Sequence, residues 1–261
     1  MKIRFYILLI LICSCATKSD IDLSDIQNEL NQKFNKGKEL FDKGKYTRAT
    51  AEFDYILLND RGSDIGVQAR FYQAETLYML EQFDKAISSY QKVLQFSDDS
   101  DKIELSKFKI CKCYFDLSNQ HNRDQSNNDL ALEKLQYFID QYPSSSYLKE
   151  AESYIATLRN KKAEKIYQTA RLYLKLKEFN SALIYFDEVL KSYYDTPTAD
   201  DARISIIFLY LLRDNNHAAE SYYNSNKKKF TNKEKELEAN NLLYNYNDKS
   251  NWFKNLIRLY K

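Results

Sequence analysis

Three stretches of the chain read alike: GKYTRATAEF at Gly44–Phe53, EQFDKAISSY at Glu81–Tyr90 and KEFNSALIYF at Lys177–Phe186. Each has an aromatic at its third place, an alanine at its sixth and an aromatic at its tenth. Upstream of each lies a small residue followed three positions later by a large apolar one: Gly37 and Leu40, Ala74 and Leu77, Ala170 and Tyr173. Cys111, Tyr114, Ala131 and Leu135 form a further copy. Ile207, Tyr210, Ala219 and Tyr223 form a fainter one, in which Ala218 offers a register shifted by one. A small residue on each of two helices lets their axes approach, and the aromatics fill the wider gaps beside them. A pair of this kind cannot bury its apolar face alone, so successive pairs must stack.

The unit resembles the tetratricopeptide repeat, an antiparallel helix pair with a period of about 34 residues. The fold class expected is all-α, an α-solenoid of about five such pairs. The marker alanines are spaced 37, 45, 51 and 37 apart, so each interval holds extra chain. A link at Asn59–Gly66 lengthens the first interval. The second gains a similar link and an inserted loop, roughly Leu117–Asn128, and the third an extra helical stretch at Tyr147–Lys162. Only 4 glycines and 2 prolines occur, too few for the turns of a sheet-rich fold. Pro143 and Pro197 follow second helices, where a helix should stop. Ser24 with Gln27 and Thr231 with Glu234 read as capping boxes, and Thr196 as a cap before Pro197.

The chain begins MKIRFYILLILICSC. Lys2 and Arg4 precede an apolar run, Phe5–Ile12, too short to span a bilayer core, which takes about 20 residues. It fits the apolar region of a secretory signal. Its ending resembles a bacterial lipoprotein signal cut before Cys15. A cut before Cys13 would leave bulky Ile12 where a small residue is wanted, and a membrane-spanning anchor is the other alternative. The resemblance implies acyl chains such as palmitate on Cys15 as the only attached group, with no further cofactor. Ala16 implies sorting to the outer membrane. The organisation expected is a signal peptide over 1–14, a lipidated tether over 15–22, repeats over 23–226 and a tail over 227–261 ending in a short helix with Trp252, Leu256 and Leu259.

Charge is nearly balanced, 39 basic against 37 acidic residues, and without Lys2 and Arg4 it is 37 against 37. No excess is left to neutralise a phosphate backbone, so nucleic acid is not an expected partner. Cys111 and Cys113 sit two apart on a helix, point to different faces and read as buried thiols. His121 and His217 lack partners for catalysis or metal binding. Asp98, Asp99 and Asp101 read as a helix start, since they lack the glycine and glutamate of a calcium loop. No metal site and no catalytic constellation is expected.

One stripe stands out on the first helices: Phe34, Lys38 and Phe41; Phe71, Glu75 and Tyr78; Phe108, Lys112 and Phe115; and, less aromatic, Tyr167, Arg171 and Leu174. Two readings stand. The stripe lines a peptide-binding groove, as the corresponding face does in tetratricopeptide repeats, or it packs one first helix on the next. A charged residue between two aromatics argues against full burial.

The whole arrangement resembles the BamD family, lipoproteins of the outer-membrane β-barrel assembly machinery, over about Ile21–Asn226. The resemblance rests on five repeats behind a lipoprotein signal and on the insert with Arg123-Asp124. It rests also on YPSSSYLKEAES at Tyr142–Ser153 and on the turn Tyr194-Asp195-Thr196-Pro197-Thr198-Ala199. It implies a non-enzymatic scaffold, lipid-anchored in the outer membrane and facing the periplasm. Its amino-terminal repeats would hold unfolded outer-membrane β-barrel substrates through aromatic-rich carboxy-terminal signals. Its carboxy-terminal repeats would dock on the periplasmic domains of the central assembly protein BamA, with other assembly lipoproteins as further partners. The alternatives are another envelope repeat lipoprotein, such as a secretin pilotin or cell-wall scaffold, and an envelope enzyme such as a cell-wall lyase.

Overall fold

A computed structural model describes residues 23–120 and 126–244. Cys15, the tether, His121, Arg123-Asp124 and the proposed end helix around Trp252 lie outside the described residues. Within them the chain is built from α-helices, with no strand. The helices are α1 (Leu23–Asp42), α2 (Tyr46–Asn59), α3 (Asp64–Met79), α4 (Phe83–Phe96), α5 (Ser100–Gln120) and α6 (Ser126–Gln141). After them come α7 (Leu148–Lys175), α8 (Phe179–Ser192), α9 (Pro197–Leu212), α10 (Asn216–Asn226) and α11 (Lys233–Tyr244). The chain divides into two compact units, with the boundary between Cys113 and Tyr114, inside α5.

The repeat markers are where the packing is tightest. Ala49, Ala74, Ala86, Ala131, Ala170, Ala182 and Ala219 have no exposed surface, and Phe53, Tyr90, Leu135 and Phe186 are equally enclosed. Ala219 and Tyr223 are buried while Ala218 is not, which settles the register of the fifth copy. A Cβ on Gly37 would lie 2.6 Å from Cε1 of Phe53, so this crossing admits only glycine without a shift of the ring. Cys111 and Cys113 are buried and not joined in a disulfide, as expected.

Four of the bends that join the members of a pair are the same device. Gly44, Glu81, Lys177 and Asp214 follow the first helix with φ of 70°, 57°, 63° and 54°. The amide of each reaches back three residues, and the next amide reaches back five, to the carbonyls of Leu40, Leu77, Tyr173 and Tyr210. That is the Schellman pair of hydrogen bonds around one left-handed residue. It reverses the chain within three residues, so the helices of each pair run antiparallel.

The structure departs from the sequence reading in the insert and in the tail. The polar insert is mostly helical, since α5 runs on to Gln120 and α6 starts at Ser126, ahead of Asp129. The helical stretch expected at Tyr147–Lys162 is present and runs on without a break into the first helix of the fourth pair, giving the 28-residue α7. What reads as a polar tail contains α11, which packs Ala239 and Leu242 into the core against α9. Its entry is not a Thr231–Glu234 capping box. Asn232 Oδ1 accepts the Glu234 amide at 2.8 Å, and Thr231 is held by Asp200. Asp200, 1% exposed, accepts from the Thr231 hydroxyl (2.8 Å), the Thr231 amide (3.0 Å) and the Asn232 amide (2.9 Å), and pairs with Arg203 at 2.7 Å.

Candidate functional site

The first unit carries the aromatic–charged stripe on α1, α3 and α5. Its centre is a residue that the stripe pattern leaves out, Tyr72 on α3. The Phe34 ring lies 5.5 Å from it, Phe41 6.0 Å, Phe53 5.7 Å and Phe71 6.1 Å, and the Lys38 ammonium sits 5.3 Å over its face. The first triplet is therefore a half-buried aromatic wall against the core. Edge-on and stacked contacts hold its rings in fixed orientations.

The second triplet is more polar. Phe71 packs 5.9 Å from Tyr90. Glu75 accepts a hydrogen bond from the Tyr90 hydroxyl and pairs with Lys109 of α5 at 2.7 Å. Burial, followed by the Glu75 charge, pushes the Tyr90 hydroxyl well above its ordinary value, so it stays a donor. Tyr78 lies 5.4 Å from Phe83, with Lys109 and Lys112 at 6.0 and 5.5 Å from its ring centre. Glu75 and the two lysines thus form a charged seam between half-buried rings. Lys109 has no counterpart in the sequence pattern, yet it sits one turn before Lys112.

The third triplet is split. Phe108 is 2% exposed and is a core residue, not part of an open face. An aromatic at helical spacing looks the same in sequence whether it faces the core or a groove. Phe115 belongs to the second unit, where it stacks 4.2 Å from Tyr154.

The second unit has its own polar concavity, of about 270 Å³, between α7, α9 and α11. Its floor includes Ile204 and Leu242, and Arg171 and Lys235 face Glu164, Asp201 and Glu238 across it. Lys235 pairs with Asp201 at 2.6 Å. Tyr167, the fourth-copy aromatic, is buried 3.0 Å from Ser205, and burial pushes its hydroxyl up to about 12. Leu174 is core. Nearby, Arg159 of α7 holds the turn before α9 with two hydrogen bonds to Asp195 (2.7 and 3.1 Å) and one to the Ser192 carbonyl (3.0 Å). The Arg159 hydrogen bond keeps the Asp195 carboxyl below its usual value. Thr196 sits at the helix start as expected, though its hydroxyl donates back to the Tyr193 carbonyl, and Pro197 takes the first helical position.

Elsewhere the acidic run behaves as a helix start: Asp99 Oδ1 accepts the amides of Asp101 and Lys102 at 3.0 and 3.2 Å. His217 is exposed in the first turn of α10. Among the described residues no group of three His, Cys, Asp or Glu could hold a metal ion.

Comparison with known proteins bears on this geometry. The family model YfiO, described as outer membrane lipoprotein, matches residues 26–248, which includes α11. The outer membrane protein assembly factor BamD of Rickettsia prowazekii is 26% identical over 205 residues, covering 78% of this chain and 82% of that protein. BamD of Caulobacter vibrioides is 22% identical over 178 residues, covering 68% of this chain and 58% of that protein. Among solved structures, the TPR2AB domain of yeast Sti1 aligns with 89% of this chain and 98% of its own at 13% identity and a TM-score of 0.45. With the family model matched over most of its length, on a fold of paired helices, the chain belongs to the YfiO outer membrane lipoprotein family, the family of the assembly factor BamD.

Proposed function

We propose that this protein is the lipid-anchored, non-enzymatic scaffold of the β-barrel assembly machinery. Its first unit holds unfolded outer-membrane proteins on the α1/α3/α5 face, by carboxy-terminal segments rich in aromatics. Its second unit docks on the periplasmic domains of BamA. Acyl chains on Cys15 tether it to the outer membrane on the periplasmic side, where other assembly lipoproteins are further partners. The observation that carries the reading is the Phe71–Glu75–Tyr78 seam with Lys109 and Lys112 across it. Rings fixed at their edges offer aromatic contacts at low entropic cost, and a seam of both charges pairs with the backbone ends and polar residues of an extended chain. The work is positioning, with no bond made or broken.

The test is binding of a labelled peptide ending in phenylalanine. Phe71→Ala and Tyr78→Ala should each weaken it about tenfold, the loss of one well-packed anchor. Unchanged affinity in folded variants would refute the groove. Cys15→Ala should release the chain from the membrane fraction, and unchanged sedimentation would refute lipidation there. Failure of the wild type to bring down BamA from membranes in mild detergent would refute the docking role.

A further inference from the structure

On the other side of α3, between α2 and α4, the first unit contains a buried cation without a counter-ion. Arg70 is 6% exposed. Its guanidinium lies 5.0 Å over the Phe96 ring, and its Nη2 reaches only the Arg61 carbonyl, at 3.5 Å. Its Nε is buried with no hydrogen-bond partner. Among the described residues no carboxylate lies within ion-pair distance of Arg70, Arg61 or Lys92, the three cations that line this cavity of about 580 Å³. Asp54, the acid on its wall, is engaged by Gln73, whose own oxygen accepts from Ser89. Buried guanidinium groups are almost always paired, and Nε with Nη2 is the edge that takes a carboxylate in two parallel bonds. Burial and Arg61 both disfavour the charged form of Arg70, as expected where no anion compensates it.

We propose that this cavity is a second polypeptide-binding site, in which Arg70 takes an acidic side chain of a partner protein and the partner's neighbouring apolar residue lies on Phe96 and Leu58. These two are 46% and 75% exposed at its rim, an apolar surface beside the cations. The cavity runs on into another of about 680 Å³ along α2 and α4, with Asp54, Gln73 and Lys92 common to both. The result is a trench, suited to an extended chain more than to a compact headgroup. None of Phe71, Glu75 and Tyr78 lines it, so it is separate from the aromatic seam.

Fluorescence anisotropy on the full chain in mild detergent tests this. The probe is a labelled, carboxy-amidated hexapeptide, Gly-Leu-Glu-Phe-Leu-Gly. Replacing its glutamate by glutamine, or Arg70 by glutamine, should each weaken binding about tenfold or more. Leu58→Glu, at an exposed position that leaves the core intact, should do the same by placing a competing carboxylate beside Arg70. Tyr78→Ala should leave this peptide's affinity unchanged, while it weakens the phenylalanine-ended peptide, so failure of either site is read separately. Equal binding of the glutamate and glutamine peptides overturns the proposal, as does indifference to Leu58→Glu. Arg70-dependent binding to phosphatidylglycerol micelles with no binding of the peptide also overturns it, in favour of a lipid phosphate.

Discussion

Lys177→Gly should make the protein more stable. Lys177 ends the first helix of the fourth pair with φ of 63°, it is exposed, and it occupies the same place as Gly44 in the first pair. A side chain in the left-handed region costs about 1–2 kcal/mol through its Cβ. Glycine removes that cost but gives the unfolded chain more freedom, worth about 0.5–1 kcal/mol against folding. The net gain is about 0.5–1 kcal/mol, or about 1–4 °C in Tm for a chain of this size. Lys177→Ala keeps the Cβ and should leave stability unchanged, which separates the backbone effect from loss of the lysine. Gly44→Ala is the mirror experiment: its Cβ would meet nothing within 4 Å, so the cost is purely conformational, about 1 kcal/mol. The assay is urea unfolding followed by circular dichroism at 222 nm, with the slope checked for constancy. Destabilisation by Lys177→Gly, or an equal gain from glycine and alanine, would refute the reasoning.

Asp200→Ala leaves the Arg203 guanidinium buried without its carboxylate and strips three donors at the entry to α11 of their acceptor, so it should cost about 3–5 kcal/mol. Hydrogen exchange should show amides of α11 losing protection first, and unaltered protection would refute the anchoring role. The Asp195 carboxyl is held below its usual value by Arg159, so its contribution is complete above about pH 5 and is lost as pH falls through the lowered value. Because both side chains are partly exposed, the effect is at most about 0.5 kcal/mol. Asp195→Asn should flatten the acid limb of the stability profile by that amount, and an identical limb in both proteins would sink the assignment.

The paired helices were readable because their markers obey one physical demand, a small residue where axes meet and a ring beside it. Gly37, Ala49 and Phe53 announce that demand in the letters themselves. The bends were only half readable. Gly44 signals a left-handed residue, whereas Glu81, Lys177 and Asp214 adopt the same conformation because hydrogen bonds to Leu77, Tyr173 and Tyr210 outweigh the local preference. Helix α11 was hidden by its charge: KEKELEANNLLY buries little beyond Ala239 and Leu242. The helix start read at Thr231 and those two at a spacing of three were the signals available. In the aromatic stripe, period alone could not separate Phe108 from Phe71, because depth depends on what the neighbouring helices place opposite. Arg70 gave no signal, since its lack of a partner is a property of α2 and α4 and not of its own helix.

A row of like pairs has no built-in stopping rule, for the last one offers the same sticky surface that its predecessors used to recruit it. Here α11 lies across α9, with Lys233, Glu234 and Asn241 exposed beside Leu237 and Tyr244, and is pinned by the clasp of Asp200. The clasp therefore keeps this flank of α9 covered. Undoing it would free α9 to recruit a neighbouring copy end to end, and the failure to watch for is fibrous growth as well as melting.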